Sequence, residues 1–248
     1  MSLRYHEISE SHHRILNPFT DEKLITLGEA CRLQAGQRQL DLACGKGEML
    51  CRWAQRFGIW GLGVDISLIF LAAARERAIE LGVDTQVKFE QGDASLPRVE
   101  PLRYDIVSCI GATWIGGGLA GTINLMRPMV QDDGLLLLGE PYWLAEPPPE
   151  VCAGLQVAHD TFASLLGTAD RLAAAGVELV EMVLADQDSW DRYVAAQWRT
   201  LSDWLRARPN DPEAPGLWRF LEDGRRSYLA YSRAYLGWGV FVGRLIGR

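Results

Sequence analysis

Apolar and polar positions along the chain fall into two alternating rhythms. Short apolar runs at 39–43, 60–65, 86–90 and 104–110 have the length and composition of strands. Between and after them, over 48–57, 69–81 and 119–129, apolar residues recur every three or four positions, the period of a helix with one buried face. An earlier helix starts after Thr20, with Asp21 and Glu22 in its first turn where the helix dipole favours acids, and runs to about residue 33. Ser67 stands where the helix over 69–81 needs an N-cap, and Gly82 where it must stop. Asp132, Asp133 and Gly134 predict a turn, followed by a strand over 135–140. Its run of four leucines, Leu135 to Leu138, suits a strand covered on both faces. Alternation of this kind predicts parallel βαβ units and an α/β fold.

Beyond Trp143 the rhythm weakens. Pro147, Pro148 and Pro149 predict a stiff, extended connector. A helix over 161–175 closes at Gly176, and 177–185 reads as a strand. A helix over 189–208 aligns Trp190, Val194, Trp198, Leu201 and Leu205 on one face, which reads as packing. Residues 225–235 read as a further helix and 238–242 as a last strand. The first 19 residues read as irregular.

Composition narrows the class. With 48% hydrophobic and 23% charged residues, the chain is an ordinary globular sequence, and its 248 residues suffice for a full core. A net charge of -7 with no basic patch argues against nucleic acid as a partner. No apolar run approaches the ~20 residues of a membrane span. The polar N-terminus does not read as a signal peptide. Cys31, Cys44, Cys51, Cys109 and Cys152 are dispersed and contain no CxxC, so a disulfide framework is not expected and a cytoplasmic location is. His6, His12 and His13 lack a zinc-ligand spacing, and no metal is expected.

The sharpest chemical signal is Asp41-Leu42-Ala43-Cys44-Gly45-Lys46-Gly47-Glu48, between a strand and a helix. Glycines there permit a tight turn and let a ligand lie against the main chain, while the helix start offers free N–H groups. The dinucleotide fingerprint would need Gly or Ala at position 50, which is Leu50, and the P-loop pattern is absent. Asp41, an acceptor-only group beside the turn, suits a cationic amino group. Asp65 ends the second strand, where an acid can accept both ribose hydroxyls, and Asp93 follows the third, where it can accept an adenine amino group with the N–H of Ala94. Cys44 has no histidine neighbour in the sequence and reads as structural.

Here the chain resembles the class I S-adenosylmethionine-dependent methyltransferases. The matching stretches are 40–47, Gly63-Val64-Asp65-Ile66-Ser67, Gln91-Gly92-Asp93-Ala94, 104–108 and the turn into the fifth strand at 127–135. It is most similar to a bacterial branch of small-molecule methyltransferases with an N-terminal extension and a helical insertion. One departure is Ala43, which replaces the first glycine of the family's pattern. The resemblance implies a Rossmann-like, doubly wound, seven-stranded, mostly parallel sheet with a helical insertion near the C-terminus. It implies one domain over 1–248: an N-terminal lid over 1–19, a cofactor-binding core over 20–143, and further core strands plus an acceptor-side insertion over 144–248. S-adenosylmethionine is the implied cofactor. Asp41 and the backbone of Ala43, Gly45 and Gly47 would hold its methionine part, Asp65 its ribose, with Ile66 against the adenine and Asp93 and Ala94 at the adenine edge. Cys109, Ile110 and Gly111 would line the cofactor near the sulfonium.

The acceptor would meet the loops after the fourth and fifth strands. Trp114, Glu140, Tyr142 and Trp143 are candidates for its pocket; the alternative is packing under the N-terminal segment. His12, His13, Glu140 and Tyr142 are candidate catalytic groups, needed only if the acceptor must lose a proton during the reaction. The expected function is methyl transfer to a small-molecule acceptor. An NAD-dependent oxidoreductase, motivated by Asp65 after a glycine turn, and a non-catalytic nucleotide-binding module are the alternatives. The sequence predicts no oligomeric state.

Overall fold

Strand and helix alternate through the first half of the chain, as the pattern predicts. The structure is a computed structural model and describes residues 2–96 and 103–247. Helices α1 (Leu3–Ser9) and α2 (Asp21–Ala30) precede β1 (Arg38–Leu42), α3 (Glu48–Phe57), β2 (Trp60–Asp65), α4 (Leu68–Glu80), β3 (Val87–Gln91), β4 (Tyr104–Ile110), α5 (Leu119–Met126) and β5 (Val130–Trp143). The second half comprises α6 (Pro149–Leu155), α7 (Leu165–Ala174), β6 (Val177–Leu184), α8 (Gln187–Ala207), α9 (Ala214–Ser227), the short α10 (Arg233–Tyr235) and β7 (Leu236–Leu245). The strands form one seven-stranded sheet in the order β3-β2-β1-β4-β5-β7-β6. β1 to β5 are parallel to one another, and β7 runs antiparallel between β5 and β6.

The four-leucine run explains the layering. Leu135 and Leu137 face one core with Leu24 and Leu27 of α2, Leu50 and Trp53 of α3, and Leu71 of α4. Leu136 and Leu138 face the other with Ile123 and Met126 of α5 and Leu172 of α7. Period-two alternation buried on both sides yields helices on both faces, the doubly wound arrangement. The predicted caps form: Thr20 Oγ1 accepts from Lys23 N at 3.2 Å, and Ser67 Oγ from Phe70 N at 3.1 Å. α3 and α4 are clamped by Glu48, whose carboxylate receives two hydrogen bonds of 2.8 Å from the Arg77 guanidinium.

Four expectations are corrected. The first 19 residues are not wholly irregular, since α1 packs Tyr5 and Ile8 against Leu201 and Leu217 of α8 and α9. The 132–134 segment is not a turn ahead of the strand: β5 starts at Val130 and runs through it, with a register irregularity opposite Tyr104 and Ile106. Pro148 is extended as predicted, but Pro149 opens α6, where its missing N–H is harmless. The helix expected over 225–235 starts earlier, at Ala214. It ends in a π-helical turn over Tyr228–Ser232 before α10. Gly216 and Gly224 inside it weakened the helical signal. Among the described residues no helix is long and apolar enough to cross a membrane.

Candidate functional site

The C-terminal ends of β1, β2 and β4 and the loop after β3 open on a cleft of about 650 Å3. Its floor is the turn after β1. Gly45 and Gly47 take φ of 55° and 64°, and Ala43 reaches 58°, so alanine at the departing position holds the left-handed conformation itself. A Cβ on Gly47 would lie 2.4 Å from the Phe89 ring, and one on Gly45 would lie 2.7 Å from Leu16 Cδ1. The turn is therefore packed from below by β3 and faced from above by the N-terminal segment.

The three acids stand where their strand ends put them. Asp41 is buried and accepts from Ser108 Oγ at 2.6 Å. Burial pushes its carboxyl up to about 7, opposed by the Ser108 hydrogen bond and reinforced by the nearby Asp65 charge. Asp65 braces the turn: its Oδ2 accepts from Gly45 N and its Oδ1 from Ser67 N, each at 2.8 Å. Asp93 is exposed and accepts from Ser95 N and Ser95 Oγ, which hold it below the usual carboxylate range. All three line the cleft, with Ala43, Gly45, Ile66, Ala94, Ile110 and Gly111. Cys109 does not. Alternation along β4 sends it to the α5 face, while Ile110 faces the cleft. Cys44 also lines the cleft; its Sγ packs over Gly63, and burial raises its thiol well above the ordinary value, which disfavours a thiolate nucleophile.

The candidates for acceptor chemistry separate. Trp114 lines the cleft and is 73% exposed. Glu140 and Tyr142 do not line it: both are buried, and Tyr142 packs on Phe241 of β7 and over Gly237. Burial pushes the Glu140 carboxyl up to about 7, with Thr113 as its hydrogen-bond partner. Trp143 packs edge-on to Phe162 and donates from Nε1 to the His159 carbonyl. For Tyr142 and Trp143, packing is the observed role. His12 and His13 are likewise outside the cleft. His12 Nδ1 lies 3.3 Å from Thr200 Oγ1, and His13 packs tilted against the Tyr193 ring with Nδ1 3.1 Å from Glu10 Oε2. The histidine that does line the cleft is His6, edge-on to Phe70.

Sequence reasoning missed the fastening of the N-terminal segment. Lys46, inside the glycine turn, donates to the carbonyls of Glu10, Ser11 and His13 at 2.7, 2.9 and 2.7 Å. Glu10 is fully buried and its Oε1 accepts from Tyr193 Oη and Gln197 Nε2 of α8. Although burial opposes it, the His13 and Tyr193 contacts hold the Glu10 carboxyl below its ordinary range. A lysine between two turn glycines was the available signal; a lone glutamate in a polar stretch gave none.

Comparison with known proteins decides the family. A methyltransferase domain model matches residues 33–197. The chain belongs to the class I S-adenosylmethionine-dependent methyltransferases. It is 46% identical to the uncharacterized protein YjhP of Escherichia coli K12 over 96% of this chain and 97% of that one. A methyltransferase from Geobacter sulfurreducens, solved with S-adenosylhomocysteine, is 47% identical, covers 98% of each chain and superposes with a TM-score of 0.94. One from Thiobacillus denitrificans, solved with the same ligand, gives 45%, 99% of each chain and 0.93. The nicotinamide and non-catalytic alternatives are not favoured. Leu50, fully buried against Gly61, fills the place where the dinucleotide fingerprint needs a small residue.

Proposed function

We propose that this methyltransferase acts on a small-molecule acceptor in the cytoplasm, with residues 1–248 working as one domain and residues 1–19 as the lid of the cleft. The observation that carries the reading is the convergence of Asp41, Asp65 and Asp93 on one cleft, floored by a left-handed glycine turn and roofed by the N-terminal segment. The left-handed turn and the two buried carboxylates fit S-adenosylmethionine. The bound cofactor supplies an electrophilic methyl carbon on a sulfonium. Asp65 would take the ribose hydroxyls with the lone pairs its backbone partners leave free, and Ile66 would cover the adenine. Asp93 and Ala94 would meet the adenine edge. Asp41, with the backbone of Ala43, Gly45 and Gly47, would hold the amino-acid part. Ile110 and Gly111 would border the sulfonium, with Trp114 on the acceptor side. The chain's contribution is positioning and exclusion of water, which an in-line transfer needs more than covalent help.

The test is transfer of labelled methyl from S-adenosylmethionine in a cell extract separated by size. Label in the small-molecule fraction, lost with Gly45→Val, is the expected result. Label confined to protein or nucleic acid would contradict the acceptor class.

A further inference from the structure

Helix α1 turns two faces to two parts of the molecule. Tyr5 and Ile8, at i and i+3 and so on one face, pack against α8 and α9. Leu3 and His6, at the same spacing, line the cleft. Glu7 fastens the helix to the surroundings of Asp65. Its Oε1 accepts from Ser67 Oγ at 2.6 Å, Ser67 N donates to Asp65 Oδ1 at 2.8 Å, and Gly45 N donates to Asp65 Oδ2 at 2.8 Å. The His6 ring stands edge-on to Phe70 with centroids 5.4 Å apart, and Phe70 N donates to the same Ser67 hydroxyl. The short segment 65–70 therefore holds both His6 and the acid proposed for the ribose hydroxyls.

We propose that His6 is a cofactor-binding residue, carried by the N-terminal segment to the ribose, where its imidazole hydrogen-bonds a hydroxyl beside Asp65. The proposal rests on the methyltransferase reading and adds a contact that the strand-end acids cannot make. An ionised carboxylate only accepts, so Asp65 can take the hydrogens of two ribose hydroxyls but leaves their oxygens in need of a donor. The backbone donors around it are engaged: Gly45 N and Ser67 N by Asp65 itself, and Phe70 N by Ser67 Oγ. Lys46, next to Gly45, is spent on the carbonyls of Glu10, Ser11 and His13. His6 lines the same cleft, and among the described residues its ring nitrogens have no hydrogen-bond partner. An imidazole has at least one N–H in either protonation state, so it always offers the missing donor. His12 and His13 cannot serve in its place, since they lie against Thr200 and Tyr193 of α8.

Calorimetry tests this with S-adenosylhomocysteine and its 2′-deoxy and 3′-deoxy analogues, each titrated into wild type, His6→Ala and His6→Phe. Phenylalanine keeps a ring against Phe70 and removes the nitrogens, which separates hydrogen bonding from packing. Both variants are expected to bind S-adenosylhomocysteine about 3–10-fold more weakly, the range of one neutral hydrogen bond. For one of the two analogues the gap between wild type and variants should close, because the hydroxyl that His6 meets is missing from it. Wild-type affinity in either variant, or an equal loss for S-adenosylhomocysteine and both analogues, overturns the assignment of His6 and leaves the methyltransferase reading standing. Failure of S-adenosylhomocysteine to bind the wild-type protein would instead strike that reading.

Discussion

Asp41 combines deep burial with a proposed ionic task, and its titration exposes both. In the unfolded chain it ionises in the ordinary carboxylate range; in the folded protein burial pushes it up to about 7. A carboxyl raised on folding supports the native state fully below its unfolded value and withdraws that support as pH rises toward the folded value. Asp41→Asn is therefore expected to stabilise the ligand-free protein by up to about 4 kcal/mol near pH 8 and hardly at all near pH 4, measured by urea unfolding. Holding a cationic amino group requires the ionised form. Affinity for S-adenosylhomocysteine should thus fall as pH drops below about 7 in wild type and lose that dependence in Asp41→Asn; a wild-type affinity flat across this range would remove the ionic role. At Asp65 the structure adds a duty the sequence did not show, bracing Gly45 and Ser67 as well as lining the cleft. Asp65→Asn should weaken S-adenosylhomocysteine binding by ~10–150-fold in calorimetry, the loss of charge-assisted hydrogen bonds worth about 1.5–3 kcal/mol. Placement at the cleft was legible where a strand end forced it, as for Asp41, Asp65 and Ile110. It failed for Cys109, Glu140 and Tyr142, because which face of a strand a residue takes depends on register and not on its place near a strand end.

Among the elements, the N-terminal strap differs most from its sequence appearance. A polar segment with three histidines gave no strong helical period, yet α1 forms because Tyr5 and Ile8 find an apolar partner on α8 and α9, about two hundred positions away in sequence. The strap is joined to the glycine turn through Lys46 and to α8 through Glu10. Lys46→Met should release it. Hydrogen exchange over residues 8–16 is expected to speed up by ~10–150-fold, the equivalent of about 1.5–3 kcal/mol of charged hydrogen bonding, with the sheet amides unaffected. Unchanged exchange would mean that α1 packing alone holds the strap. The same separation in sequence explains why α9 was read short: its helical period is interrupted by glycine, and packing of Leu217 and Leu221 against Leu201 and Leu205 decides it.

For the whole molecule, the sheet's first five strands and the glycine turn were legible because each βαβ unit is local and carries its own caps and periodicity. The antiparallel insertion of β7 between β5 and β6 was not, since strand order depends on contacts between distant segments. The cleft results from both: local strand ends supply its acids, and long-range docking of the strap supplies its roof. The central claim is that this cleft binds the methyl donor's product at the turn after β1. Calorimetry of S-adenosylhomocysteine against wild type and Gly45→Val tests it most directly, because the added side chain would occupy a left-handed backbone position and collide with Leu16. The account predicts one saturable site in wild type and none in a folded Gly45→Val protein. Equal affinity in the two proteins, or no binding to wild type, would contradict it.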